Sequence, residues 1–157
     1  MIIIFTGAIT GTSDMQQQQV GKKELLFIDT SAWIALYDQD DAYHMDAVRF
    51  FTPDNLLMRR LIPVTTNFIF AEVYTYFCRN HSMAVTIGQS LKASKILKLL
   101  HVEEADEAKA WEIAQKYADK DFSYTDCTSF AVMRRLNCRK AFAFDTHFSQ
   151  MGFEVLP

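Results

Sequence analysis

The chain has 157 residues, of which 50% are hydrophobic and 22% are charged, and its formal net charge is −3. This length and composition predict one folded domain and exclude a disordered chain. The weak negative charge excludes a whole-molecule attraction to nucleic acid, although it is compatible with a local basic surface.

The first 23 residues differ from the rest of the chain. Met1 to Thr6 is apolar, but no basic residue precedes it, and a polar stretch with four consecutive glutamines follows. The run is too short for a membrane span and lacks the charged start of a secretory signal. We expect residues 1–23 to be an extra strand, a disordered leader, or a segment preceding a true start at Met15, and the domain to occupy residues 24–157.

Strand and helix patterns alternate from residue 25 onward, which is typical of an α/β domain with a parallel sheet. Either Thr30 or Ser31 is placed to cap the first helix, Pro53 is expected to stop the second, and Asn67 is a candidate cap for the third. The predicted elements are a strand over 25–28, helices over 31–37 and 44–51, a strand over 63–66, helices over 67–79 and 82–100, a short strand over 102–104, helices over 105–119 and 124–136, and strands over 141–144 and 153–156.

Two of the apolar runs end in an aspartate followed by threonine. Asp29 follows the first predicted strand and Asp145 follows the strand over 141–144. Because sites in parallel sheets form outside the carboxyl ends of the strands, both carboxylates are expected to face one cleft. Two carboxylates in one cleft repel each other unless a cation lies between them, so the pair suggests a hard divalent metal.

Two further acids occupy inward-facing helix positions. Helical spacing places Glu72 within the arc of Phe68, Ile69, Val73 and Tyr76. Asp126 shares a face with Phe130 and Met133 and lies in the first turn of its helix, where the helix dipole favours negative charge. Each acid alone is equally explained by a structural role, an ion pair for Glu72 and support of the helix start for Asp126. On the helix over 105–119, Trp111 is expected in the core.

The order of these acidic segments resembles the PIN-domain family of metal-dependent ribonucleases, in particular the toxins of VapBC-type toxin–antitoxin systems. The resemblance covers residues 25–157 and rests on four segments, which are FIDTS at 27–31, TT at 65–66 followed by AEV at 71–73, SYTDCTSFAVM at 123–133, and FAFDTHF at 142–148. Residues 1–23 depart from the family pattern, in which the chain begins at the first strand.

The resemblance implies a three-layer sandwich, a central, mostly parallel sheet flanked by helices, and a site built from Asp29, Glu72, Asp126 and Asp145. It assigns Asp29, Asp126 and Asp145 to Mg²⁺ or Mn²⁺ and gives Glu72 a water-mediated or general-base role. The hydroxyls that orient these carboxylates are predicted to be Thr30, Ser31 and Thr125. His147 lies beside Asp145 but has no orienting partner nearby in sequence, so it is interpreted as structural.

The implied activity is cleavage of single-stranded or structured RNA, with a cognate antitoxin as partner and a homodimer as the assembly. Arg134 and Arg135 are candidates for phosphate contacts on the helix that carries Asp126. Three cysteines without a CxxC pair argue against a disulfide framework and favour a reducing cytoplasm, with no membrane association expected.

Two other classes of function remain open. A PIN-like RNA-binding or scaffold protein without effective turnover would result if the four acids failed to converge. A phosphohydrolase or receiver domain also carries a strand-end aspartate. The usual phosphatase motif places a second aspartate two residues after the first, however, where this chain has Ser31.

Overall fold

A computed structural model describes residues 22–157, which form a five-stranded sheet and eight helices. The predicted leader lies outside the described residues apart from Lys22 and Lys23, so its alternatives remain predictions. The strands are β1 (Glu24–Ile28), β2 (Leu61–Thr66), β3 (Lys98–Leu100), β4 (Lys140–Phe142) and β5 (Glu154–Leu156). The helices are α1 (Thr30–Tyr37), α2 (His44–Phe50), α3 (Pro53–Met58), α4 (Asn67–Phe77), α5 (His81–Ala93), α6 (Glu104–Lys116), α7 (Tyr124–Arg135) and α8 (His147–Gln150).

The sheet has the strand order β3-β2-β1-β4-β5, and all neighbouring strands run parallel. This confirms the predicted α/β class. The chain adds β2 and β3 on one side of β1 and then β4 and β5 on the other, so the direction of winding reverses between β1 and β4. In open parallel sheets, the crevice at such a reversal is where ligands bind, outside the carboxyl ends of the strands.

β1 is the centre of the sheet and of the core. Its successive residues Leu26, Phe27 and Ile28 are all fully buried. Because side chains alternate between the two faces of a strand, burial of all three means that both faces of the sheet are covered. Phe27 packs against Phe148 of α8, and Phe148 packs in turn against Phe130 of α7, so aromatic rings join the sheet to the helices near the site.

The predicted helix over 82–100 is wrong in its last part. α5 ends at Ala93, Ser94 has an extended backbone, and the chain enters β3 at Lys98. The strand expected over 102–104 therefore lies earlier in the chain, and Glu104 already begins α6. β3 pairs with the carboxyl half of β2, and this long-range pairing overrides the helix-forming composition of the segment.

Three smaller expectations are also corrected. Pro53 does stop α2, but it occupies the first turn of the additional helix α3, where its missing N–H costs nothing. Thr66 rather than Asn67 caps α4, because its hydroxyl accepts a hydrogen bond from the Ile69 N–H. Trp111 is 59% exposed rather than part of the core.

Among residues 22–157, none of the helices combines the length and the hydrophobicity that crossing a membrane requires.

Candidate active site

Asp29 stands at the end of β1 and caps α1. Its Oδ2 accepts hydrogen bonds from the Ser31 N–H at 3.0 Å and from the Ser31 hydroxyl at 2.7 Å. Asp29, and neither Thr30 nor Ser31, is therefore the N-cap, which corrects the sequence expectation. Asp29 is only 4% exposed, so the position of its carboxyl group is set by these contacts and by the surrounding core.

Ser31 also fixes the neighbouring loop. Its Oγ accepts a hydrogen bond from the Phe144 N–H at 3.0 Å, while its own proton is donated to Asp29. This single hydroxyl therefore ties the loop after β4 to the carboxylate after β1. The loop places Asp145 at the same end of the sheet as Asp29.

His147 joins Asp145 to Asp126. The backbone N–H of His147 donates to Asp145 Oδ1 at 2.9 Å, and the ring Nδ1 of His147 lies 3.1 Å from Asp126 Oδ2. Asp126 occupies the third position of α7 and completes a capping box, because Oδ2 accepts from the Ser123 N–H and the Ser123 hydroxyl accepts from the Asp126 N–H. The structural role considered for Asp126 and its proximity to the other acids are therefore both present.

Glu72 is connected to the same group through α1. Its Oε2 accepts a hydrogen bond from the Thr30 hydroxyl at 2.6 Å. The side chain is half-buried on α4, as the helical arc predicts, although Tyr76 of that arc is 51% exposed. Glu72 thus lies beside the residue that follows Asp29 in the chain, whereas hydrogen bonds and charge interactions link Asp29, Asp126 and Asp145 more directly.

The electrostatics around Asp29 and Asp126 are unfavourable for negative charge. Burial and, to a lesser degree, the charge of Asp145 raise the pKa of Asp29 to about 7, although hydrogen bonds from Ser31 act to lower it. Burial also raises the pKa of Asp126, and the charge of Asp145 adds to this, while hydrogen bonds from Ser123 and the charge of His147 act in the opposite direction. Carboxyl groups whose ionisation is penalised by one another are stabilised by a bound cation.

Ligand atoms from Asp126, Asp145 and His147 all lie within 4.8 Å of one another. Two carboxylates and an imidazole form a donor set that suits a divalent ion, and Asp29 lies close enough to Asp145 to feel its charge. Chemically, the arrangement can hold a cation at the open end of the crevice between β1 and β4.

His147, which the sequence indicated to be structural, lies among the potential metal ligands. Its orienting partner, Asp126, lies 21 positions away in the chain, so no local pattern contains the pair. Its ring also packs edge-on against Phe122, with the ring centroids 5.4 Å apart. The signal available in the sequence was only its place two residues after a strand-end aspartate.

Three other predicted residues lie outside this group. In the described part of the chain, the Thr125 hydroxyl has no hydrogen bond to a carboxylate, although its carbonyl accepts from Thr128 Oγ1. Arg134 and Arg135 lie in the last turn of α7, at the opposite end from Asp126. The guanidinium of Arg135 donates to Asp106 at 2.7 and 2.9 Å, so it is already engaged in an ion pair, and its contact with a phosphate stays a prediction.

Comparison with known proteins gives a consistent result. The family model of the PIN domain matches residues 26–154. The chain is 35% identical over 136 residues to the 23S rRNA-specific endonuclease VapC20 of Mycobacterium tuberculosis, covering 85% of this chain and 99% of that protein.

Solved structures show the same similarity in three dimensions. The crystal structure of Mycobacterium tuberculosis VapC20, described as a sarcin–ricin loop cleaving toxin, superposes with a TM-score of 0.73 at 33% identity over 82% of this chain and 95% of that one. A toxin–antitoxin complex from Klebsiella pneumoniae superposes with a TM-score of 0.58 at 14% identity over 84% of this chain and 96% of that one, a likeness of fold alone.

Proposed function

The chain belongs to the PIN-domain family, and from this premise we propose that it is a divalent-metal-dependent endoribonuclease that acts as the toxin of a toxin–antitoxin pair. The observation that supports this most directly is the convergence of Asp29, Asp126 and Asp145 at the reversal point of the sheet, with Glu72 joined to them through Thr30. A scaffold protein without turnover would not require this group of carboxyl groups whose ionisation is disfavoured.

The residues present fit the metal that the family implies. Asp29, Asp126 and Asp145 would hold Mg²⁺ or Mn²⁺, and the imidazole of His147 adds a nitrogen donor that suits Mn²⁺ better than Mg²⁺. When bound, the ion would acidify a water molecule and stabilise negative charge on the phosphate oxygens.

The protein's own groups set the geometry of the reaction. Ser31 and Ser123 hold Asp29 and Asp126 in fixed orientations through the hydrogen bonds described above. Glu72, whose Oε2 accepts from the Thr30 hydroxyl, would orient the attacking water or accept its proton. Thr30 and Ser31 therefore act as positioning residues, and no such contact supports a similar role for Thr125.

We infer that the substrate class is a structured loop of the large ribosomal RNA. The supporting observation is the similarity to VapC20 over nearly the whole domain, since that protein is named for cleaving 23S rRNA. Bases in such loops are unstacked and accessible, and proteins recognise RNA mostly at such positions.

We also infer a protein partner and self-association. A groove of about 370 Å³ lies between α1, α2 and α5, and its lining combines apolar side chains with polar ones such as Asn80 and Thr86; the apolar ones are Leu36, Val48, Met83 and Ile87. A groove of this character suits the apolar face of an antitoxin helix, and the exposed Tyr74 and Tyr76 of α4 suit a homodimer face. Light scattering of the purified chain, alone and mixed with a cognate antitoxin, tests both, and a chain that stays monomeric in both samples contradicts them.

The decisive experiment measures cleavage of a labelled sarcin–ricin loop hairpin with Mn²⁺, Mg²⁺ or EDTA. We expect the unmodified chain to cut the hairpin only with metal, and Asp29→Asn and Asp126→Asn each to lose about 100-fold or more in rate, the scale on which single charge-stabilising groups act in active sites. Asp119→Asn is the matched control, because this exposed acid pairs only loosely with Lys120, with 3.8 Å between Nζ and Oδ2.

Two outcomes contradict the proposal. Cutting that persists in EDTA would show that the reaction does not need a metal. Cutting by Asp126→Asn at the rate of the unmodified chain would contradict the assignment of the acidic group as the active site.

A further inference from the structure

Tyr43 and Phe144 form a parallel aromatic stack. Their ring centroids lie 4.6 Å apart and the ring planes differ by 9°. Phe144 is half-buried and is held edge-on by Phe142, whose centroid is 5.5 Å away. Tyr43 remains 47% exposed even though Phe144 covers one face of its ring, so the opposite face is open to solvent.

This stack is built into the acidic site. Phe144 directly precedes Asp145, and its N–H donates to the Ser31 hydroxyl that also holds Asp29. The ring pair and the two carboxylates therefore share one hydrogen-bonded frame. A group resting on Tyr43 would be joined through Phe144 to the loop that carries Asp145.

The other half of the stack is equally fixed. The Tyr43 N–H donates to Asp41 Oδ1 at 2.8 Å, and the Tyr43 carbonyl accepts from the Ala47 N–H as α2 begins. The backbone of Tyr43 is thus held in place, and its ring is oriented by the stack on Phe144. The carboxylates of Asp40 and Asp41 nearby disfavour a phosphate at this position, whereas a neutral aromatic group meets no such penalty.

We propose that the open face of Tyr43 binds a nucleobase of the RNA immediately next to the scissile phosphate and thereby selects where the chain cuts. This inference rests on the proposed ribonuclease function. The chemistry is that of single-stranded RNA recognition, in which unstacked bases lie on aromatic side chains. Tyr43 is then a substrate-positioning residue, and Phe144 is the support that keeps its ring oriented.

The test is a binding cycle that combines protein and RNA changes. All variants are made in the Asp126→Asn background, in which cutting is suppressed, and the dissociation constant of a labelled sarcin–ricin hairpin is measured by anisotropy. Tyr43→Leu keeps an apolar cover on Phe144 but removes the aromatic face, and we expect about tenfold weaker binding. Tyr43→Phe should restore most of the affinity, and Trp111→Leu, at a similarly exposed aromatic on α6, should leave it unchanged.

Hairpins that lack one base, 5′ or 3′ of the cut, separate recognition from a general structural effect. With the aromatic ring present, removing the contacted base should weaken binding about tenfold. In Tyr43→Leu the same removal should weaken binding almost no further, because the two changes delete the same contact. Coupling at either position supports Tyr43 as the platform on which a base stacks. Additive losses of affinity at both positions, or unchanged affinity for Tyr43→Leu, overturn this inference.

Failure of this inference differs from failure of the proposed function. If the unmodified chain cuts no RNA with any metal while the binding cycle still shows coupling, the nuclease proposal fails and with it the role of Tyr43 in selecting a cut, although the contact between Tyr43 and an RNA base is retained. If the unmodified chain cuts the hairpin and no coupling is found, the platform fails and the nuclease stands.

Discussion

The acidic site disfavours the ionised form of Asp29. It is buried and faces the charge of Asp145, and the hydrogen bonds from Ser31 do not offset these effects, so its pKa rises from 3.8 to about 7. A folded-state pKa above the unfolded one means that the folded protein binds the extra proton more tightly. The corresponding stability is complete below pH 4 and is lost as the pH rises through 7.

We therefore predict that Asp29→Asn stabilises the metal-free protein at neutral pH and not at pH 4. The difference in the free energy of unfolding should grow between these values to at most about 4 kcal/mol, the equivalent of the pKa shift. Urea unfolding in EDTA at several pH values measures it, with Asp119→Asn as an exposed control. A difference that is constant with pH, or largest at pH 4, would contradict the assigned burial and crowding of Asp29.

At the same scale, the sequence contained most of the site. Asp29 and Asp145 were predictable because an acid after a buried parallel strand has only one edge of the sheet to occupy, and Glu72 because helical periodicity fixes its face. The roles assigned to them remain predictions. His147 was not predictable, because its contact with Asp126 depends on how α8 packs against α7, which no local pattern records.

At the scale of elements, the sequence was informative where an element is long and misleading where it is short. β1 and α7, with five and twelve residues, match their predicted positions closely because their apolar patterns are continuous. β3 has three residues, too few to show an alternating pattern, and only its pairing with β2 distinguishes it from the end of a helix. The site is unaffected by this error, because β3 lies at the sheet edge, away from the crevice between β1 and β4.

One ion pair, between Asp106 and Arg135, joins α6 to α7. Burial acts to raise the pKa of Asp106, but hydrogen bonds from Arg135 and from the Glu103 N–H, together with the charge of Arg135, outweigh it and lower that pKa. The pair is therefore stabilising at neutral pH, and its contribution is lost as the pH falls below 3.8 and through the lowered pKa. Arg135 also lies 3.3 Å from Glu103, so its guanidinium is occupied by acids of α6 and its N-cap.

We predict that Arg135→Gln lowers the free energy of unfolding at neutral pH by about 2 kcal/mol, less than for a fully buried pair because the arginine is partly exposed. The dependence of RNA affinity on salt should stay the same, because the guanidinium is already engaged by Asp106 and Glu103. Lys109→Gln is the control, since its ion pair with Glu112 is exposed on both sides. Unchanged stability together with a salt slope reduced by about 1 would instead support the phosphate role first predicted for Arg135.

At the scale of the whole molecule, the site exists because the winding of the sheet reverses at β1. Each acid comes from a different stretch of chain, and α1, α4, α7 and the loop after β4 bring them together only when the domain is complete. Folding thus brings mutually repelling carboxyl groups together, and in the absence of a cation this repulsion lowers the stability of the fold. A cation that binds only the assembled site must then stabilise the entire fold.

We predict that Mn²⁺ raises the melting temperature of the unmodified chain and that EDTA reverses this. At a concentration about 100 times the dissociation constant, the gain is about 2.7 kcal/mol, which corresponds to several degrees for a domain of this size. Asp145→Asn should remove the shift because Asp145 faces both Asp29 and His147, whereas Asp119→Asn should retain it. Because metal must displace the proton that Asp29 holds up to about pH 7, the shift should also shrink as the pH falls from 8 to 6. An equal shift in Asp145→Asn would mean that Mn²⁺ binds elsewhere on the molecule and that the crevice between β1 and β4 is not the metal site.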